Sequence, residues 1–173
     1  MTVRSVASSV EQTPGLARRL ACFLYEGVLL FGVVMAAGLV YSIATNQRHA
    51  LNGTVGMRAF LFVVLGVYFV WFWSRHGQTL AQRTWRMQVL ARDGRPPRPA
   101  RALLRYLLCW MWFIPALLAV QFSGLQGTAL TMTALIAGVL AYASLSRINP
   151  QRQYLHDLIC GTAVVDWHPA PKA

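Results

Sequence analysis

Acidic side chains are scarce in this chain, and lysine is almost missing. Five Asp plus Glu stand against 16 Lys plus Arg, for a net charge of +11, and Lys172 is the one basic residue that is not arginine. Charged residues make up 12 % of the chain, about half the roughly 25 % of soluble domains. With 56 % hydrophobic residues and a mean hydropathy of +0.45, the solvent for much of the chain is expected to be lipid. Cysteine is too sparse for a staple: Cys22, Cys109 and Cys160 form no CxxC or Cys/His cluster, which argues against a disulfide framework and a zinc site. They read as small buried hydrophobes. Gly77 and Thr79 lack the spacing and lysine of a phosphate loop, and no HExxH helix, nucleophile elbow or paired catalytic carboxylates can be read. The expectation is therefore no enzyme, no cofactor and no metal. The 173 residues contain no clear linker and suit one domain.

Long hydrophobic runs are what the chain does have. After a polar tail (1–17) broken by Pro14 and Gly15, residues 20–45 hold the single charge of Glu26, and 27–45 hold none. That is ample to cross a hydrocarbon core of about 30 Å. A cleaved leader is the competing reading, since Arg18 and Arg19 precede the run and Ser42-Ile43-Ala44 resembles a cleavage site; the run is too long for that, and it contains Glu26. A polar loop leads to a second uncharged run at 59–74, short but flanked by Arg58 and Arg75 and carrying the interfacial aromatics Tyr68, Trp71 and Trp73. Residues 106–146 carry no charge and are interrupted by "QFSGLQGT", which reads as a hairpin of two more helices. The expected fold is all-α, with four transmembrane helices at about 18–45, 57–75, 102–121 and 128–147 and a C-terminal tail at 168–173. Pro115 predicts a kink in the third. Small residues four apart, Gly32/Ala36, Ala134/Gly138 and Ala137/Ala141, permit close helix packing within the chain or with another copy.

The basic excess resembles a nucleic-acid footprint until it is mapped. Fourteen Lys and Arg fall on the side of the two tails and the middle loop, and two, Arg48 and Arg58, on the other. This asymmetry predicts cytoplasmic termini in an inner (plasma) membrane, with anionic lipid headgroups as partner and no nucleic acid. The middle loop is not a plain linker. Gln78 to Arg83 reads as a short interfacial helix with Leu80 and Trp85 toward lipid. Trp85, Met87 and Val89 alternate with Arg86, Gln88 and Leu90, and Asp93-Gly94 follows as a turn, so strand or hairpin pieces are expected at about 85–97, paired with 162–167. Together they form a small cytoplasmic cap.

An arginine opening the first helix, an acid seven residues later, the loop "GQTLAQRTWRMQVLARDG" and the terminal "HDLICGTAVV" together resemble the RDD family of small bacterial membrane proteins, over roughly residues 16–167. The resemblance implies a membrane domain at 18–167. It places Arg19 at the family's arginine, Glu26 at its first aspartate and Asp157 at its second; Glu26 departs from the pattern by one methylene. For activity it implies little beyond suggested ligand transport, with sodium/proton exchange attributed to some members.

Arg19 and Glu26, seven residues apart, share one helix face about 10.5 Å apart along the axis. An ionised carboxylate at bilayer depth costs at least ~2.5 kcal/mol on insertion scales. Glu26 should therefore face the bundle interior, be paired, or be protonated. Its candidate partners are Arg19, Arg105 and Arg152. Two readings follow: a proton- or cation-responsive site of Glu26 and Asp157 near the cytoplasmic face, or a polar clamp tying the first helix to the terminal motif. His156 reads either as a group titrating near neutral pH or as packing at a surface turn, and Asp157 as a cap, an arginine partner or a ligand. Two function classes are expected: a small transporter or cation/proton exchange component, oligomeric because four short helices enclose little volume, or a non-transporting module that supports a membrane-protein partner.

Overall fold

A computed structural model of the chain describes residues 13–46, 54–124 and 127–167. The expected tails at 1–12 and 168–173, the loop centre at 47–53 and the turn residues 125–126 lie outside the described residues, and with them Arg4, Arg48 and Lys172. Helix α1 (Leu16–Ala44) starts directly after Pro14 and Gly15, so Leu16 and Ala17, assigned to the tail by sequence, are helical. Its 29 residues make it about 43 Å long at roughly 1.5 Å per residue. That exceeds the hydrocarbon thickness, so one end projects. Leu24, Val28, Phe31 and Met35 stand exposed along α1, while its buried residues are Arg19, Cys22 and Glu26. The helix is inside out compared with one in water: apolar groups face lipid and the polar stripe faces protein.

Helix α2 (Thr54–His76) follows, and the hairpin is built from α4 (Pro99–Cys109), α5 (Ile114–Ser123) and α6 (Thr128–Leu145). Four helical stretches are long and apolar enough to cross a membrane, the third being Pro99–Ser123. The expected kink from Pro115 takes the form of a full break. Proline at the start of α5 cannot donate to the carbonyl four residues back, at Met111, and its ring would strike that carbonyl; the chain tightens into a 3₁₀ turn at Trp110–Trp112 before α5 resumes. Of the small-residue pairs, Gly138 serves packing within the chain, since a Cβ there would lie 2.7 Å from that of Ala116 on α5. Gly32 has nothing near it.

At one end the cap assembles from α3 (Leu80–Thr84), β1 (Met87–Ala91), α7 (Leu155–Cys160) and β2 (Thr162–Asp166). The strands pair antiparallel, with Met87 opposite Asp166, Val89 opposite Val164 and Ala91 opposite Thr162. Alternation predicted only one buried face for β1, that of Met87, Val89 and Ala91, but Leu90 on the opposite face is buried as well, because the two-stranded ribbon is covered on both sides. Its edges are closed by side chains. Gln153 accepts from the N–H of Val164 at 2.9 Å and donates to its carbonyl at 3.0 Å, and the Gln78 amide donates to Met87 O at 2.9 Å. These bonds supply the partners that a free edge lacks. Arg18 stitches α1 to this cap through the carbonyls of Trp85 and Arg86, at 2.7 to 3.0 Å, and through Asp166 at 2.8 Å. The interfacial helix differs from expectation on one side. Leu80 is exposed, whereas Trp85 packs against the buried cluster around Trp73, Met87 and Val89.

Gly77 makes the tight passage from α2 into the cap. Its φ is +68°, the Val89 amide donates to its carbonyl at 2.7 Å, and a Cβ would sit 2.8 Å from Val89 O. Gly77→Ala is expected to cost about 1–3 kcal/mol, read as a lower thermal midpoint of the detergent-purified protein; an unchanged midpoint would contradict this packing.

Candidate functional site

Helix α4 brings the first charge inward. Ala102, Arg105 and Tyr106 are its buried residues, spaced three and four apart as one helix face requires. Arg105 meets Asp157 in the first turn of α7: its Nε donates to Oδ1 at 2.9 Å, and its Nη2 lies 2.9 Å from the same oxygen. The guanidinium also lies over the Trp73 ring, 4.3 Å from its centroid, and the Thr162 hydroxyl donates to Asp157 Oδ1 at 3.0 Å. Asp157 is fully buried. Its Oδ2 has no hydrogen bond among the described residues and lies 3.6 Å from His156 Nε2.

His156 is not on a surface turn. It is buried and stacked against Tyr142 and Tyr154. Its backbone N–H donates to Tyr142 Oη at 3.1 Å, and Oη lies 2.8 Å from its Nδ1. Burial pushes the imidazole down to about 4 against the opposing pull of Asp157. The expectation of titration near neutral pH is therefore corrected as well: removal from water outweighs the nearby carboxylate.

Glu26 is held apart from these groups. Its Oε1 accepts from Tyr68 Oη at 2.9 Å and its Oε2 from the Thr79 hydroxyl. Thr79 is placed by its own turn: it caps α3 in a reciprocal box with Gln82, and Gln82 Oε1 in turn accepts from Trp73 Nε1 at 3.2 Å. Among the described residues Glu26 forms no ion pair, so none of Arg19, Arg105 and Arg152 is its direct partner. Arg152 is exposed on a turn with φ +53° and lies outside the site. Arg19 lies 4.1 Å over the Tyr154 ring and donates to Ser146 Oγ at 3.1 Å. The cysteines are free, with Cys22 and Cys160 buried.

A cavity of about 360 Å³ joins these parts, lined by Arg19, Glu26, Arg105 and His156 among mostly apolar and aromatic residues. The structure thus gathers four of the six residues singled out by sequence around one space and puts Asp157 just behind it. Tyr68, Thr79, Tyr142, Ser146 and Tyr154 were not anticipated as partners. Thr79 carried a legible signal, since Thr79 followed by Gln82 is a capping pattern; a hydroxyl on another helix carries none. No group of three or more metal-ligating side chains occurs among the described residues.

A family model described as the RDD family matches residues 13–161. No curated protein and no solved structure matches the chain.

Two outcomes follow from the buried charges. Asp157→Ala strands the Arg105 charge and is expected to cost about 3–5 kcal/mol, whereas adding Arg105→Leu should recover part of that loss; additive losses would contradict a direct pair. Because His156 binds its proton more weakly in the fold than at its reference value of 6.5, the unfolded chain takes up the extra proton. Stability is then full above about pH 6.5 and falls as pH drops toward 4, by up to about 3 kcal/mol. Thermal melts of the parent and of His156→Gln across that window check it, the variant losing the slope.

Proposed function

Since the chain belongs to the RDD family and is a multi-pass membrane protein, we propose that it is a small cation/proton exchange component in which Glu26 is the exchanging carboxylate. One observation carries this reading: Glu26 stands at the wall of a cavity inside a membrane-spanning helix and, among the described residues, is held by two hydroxyls and no cation. A carboxylate locked to an arginine already has its charge balanced by a fixed cation and gains little from a second one. One held by rotatable hydroxyl groups can exchange a proton for a small cation, because the hydroxyls can turn from donating to accepting as its charge changes. Asp157 is assigned the other part of the expected site, fastening: both bonds from Arg105 fall on a fully buried carboxylate. No enzymatic step belongs to this reading, and Arg19 and His156 line the space without taking part in exchange.

The protein is placed in the bacterial inner membrane with the cap and both termini in the cytoplasm, supported by the imbalance of 14 Lys and Arg against two. Anionic headgroups are the natural neighbours of that basic side. Four short spans enclose little volume, so exchange is assigned to a homo-oligomer. The second reading, a non-transporting module that supports a membrane-protein partner, draws on the Arg105–Asp157 lock and on the apolar character of most of the cavity wall.

Proteoliposomes carrying a lumenal pH dye separate the two. A sodium gradient is expected to drive proton movement with the parent protein. Glu26→Gln should reduce it to the level of protein-free vesicles, and Glu26→Asp should retain part of it, all three melting at similar temperatures. A parent protein without flux would sink the exchange reading in favour of the supporting module.

A further inference from the structure

Two donor side chains on the cavity wall are used neither by exchange nor by the Arg105–Asp157 lock. Arg19 Nε and Nη1 and the Tyr154 hydroxyl have no hydrogen-bond partner among the described residues. Both side chains line the cavity, and they are only 5 % and 6 % exposed. Burying polar groups unbonded is costly, and more so where one is charged. The Tyr154 face and Ser146 offset only part of that for Arg19. Burial pushes the Tyr154 phenol up to about 12, so it keeps its proton and remains a donor. Two adjacent groups, one cationic and both short of acceptors, are complementary to an anionic oxygen.

The remainder of the wall is of a different kind. Phe23, Leu30, Leu65 and Phe69 line the cavity, and Leu24 and Gly27 border it. Leu24 is 68 % exposed on the outer flank of α1, a flank that faces lipid in a spanning helix. The cavity therefore opens sideways into hydrocarbon. Arg18, the neighbour of Arg19, is bound to cap carbonyls, which sets Arg19 at the cap end of α1, the end at which a spanning helix meets headgroups. The order is then polar anchor at the cap end and apolar slot beyond it, with its mouth in the membrane.

We infer that the cavity binds an anionic phospholipid of the surrounding bilayer, its phosphate accepting from Arg19 and Tyr154 and one acyl chain lying in the slot beside Phe23 and Phe69. The volume of about 360 Å³ lies at the small end of ligand pockets, roughly 300–1,000 Å³, so the slot takes a single chain while the second stays in the bilayer. Glu26 does not compete for this headgroup. It lies about 10.5 Å further along α1, with both oxygens already accepting hydrogen bonds.

Native mass spectrometry of the detergent-purified protein tests this, with dioleoyl-phosphatidylglycerol, dioleoyl-phosphatidylcholine and oleate as probes. One phosphatidylglycerol per chain is expected, held at least about tenfold more tightly than phosphatidylcholine. Arg19→Gln removes the cation. Gly27→Leu narrows the slot while leaving the anchor intact, and a Cβ at Gly27 meets nothing within 4 Å, so this variant should fold and decides the matter if Arg19→Gln does not. Each substitution is expected to weaken phosphatidylglycerol at least about tenfold. Equal binding of the two phospholipids, unchanged binding by Gly27→Leu, or retention of oleate without phosphatidylglycerol would each overturn the assignment. The readout is binding, so absence of sodium/proton flux leaves it standing.

Discussion

The contact between Arg105 and Asp157 is the one on which the remaining geometry hangs. Two opposite charges removed from water are tolerated only when they meet at hydrogen-bond distance with their remaining bonds supplied, and here they join α4, inside the bundle, to α7, in the cap. Trp73 from α2 covers the guanidinium and Thr162 from the start of β2 bonds the carboxylate. Four elements thus converge on one pair. His156 follows from it: adjacent to Asp157 in sequence, it is carried into the same dry interior and kept neutral there by burial.

The two buried acidic positions, Glu26 in a spanning helix and Asp157 in the cap, solve the same problem in opposite ways. Asp157 is matched by a fixed cation, while Glu26 is matched by hydroxyls delivered from α2 and from the turn before α3. That turn is held by Gly77, by the Thr79–Gln82 cap and by Gln78 on the strand edge, so a segment of the cap is pushed down against α1. The reach of Thr79 to Glu26 couples the cap to the interior, and movement of the cap would alter the surroundings of the carboxylate. The same wedge forms part of the cavity wall through Gln82 and Met87.

Much of the architecture was legible because lipid imposes coarse and strict rules. Uncharged runs of spanning length, the glycine-rich break between the last two helices, and alternation at 85–91 and 162–167 each have one favoured structural outcome. The stripe of Arg19 and Glu26 was legible for the same reason, since their helical spacing puts both on one face and the bilayer forbids that face to point outward. The partners were not legible. Arg152, near the terminal motif, and Arg105, at the start of the third spanning helix, were equivalent candidates as partners of Glu26, yet a left-handed turn leaves Arg152 exposed while Arg105 lies on the buried face of α4. His156 beside Asp157 suggested titration near neutrality, because neighbouring charge is visible in a sequence and burial is not.

By itself the sequence determined that the chain lives in a membrane, how many times it can cross, which face of α1 turns inward, and the acid and base available to that face. These follow from local spacing and from the transfer free energy of each side chain, both properties of short stretches. Tertiary structure alone decided which acid meets which base, that Glu26 is left to hydroxyls, that Pro115 unlocks a whole turn at Trp110–Trp112, and that Arg19 and Tyr154 line one cavity with donors left unbonded among the described residues. Those outcomes depend on distances between residues as far apart as 26 and 79 or 105 and 157, and on removal from water, which arises only once several elements pack together.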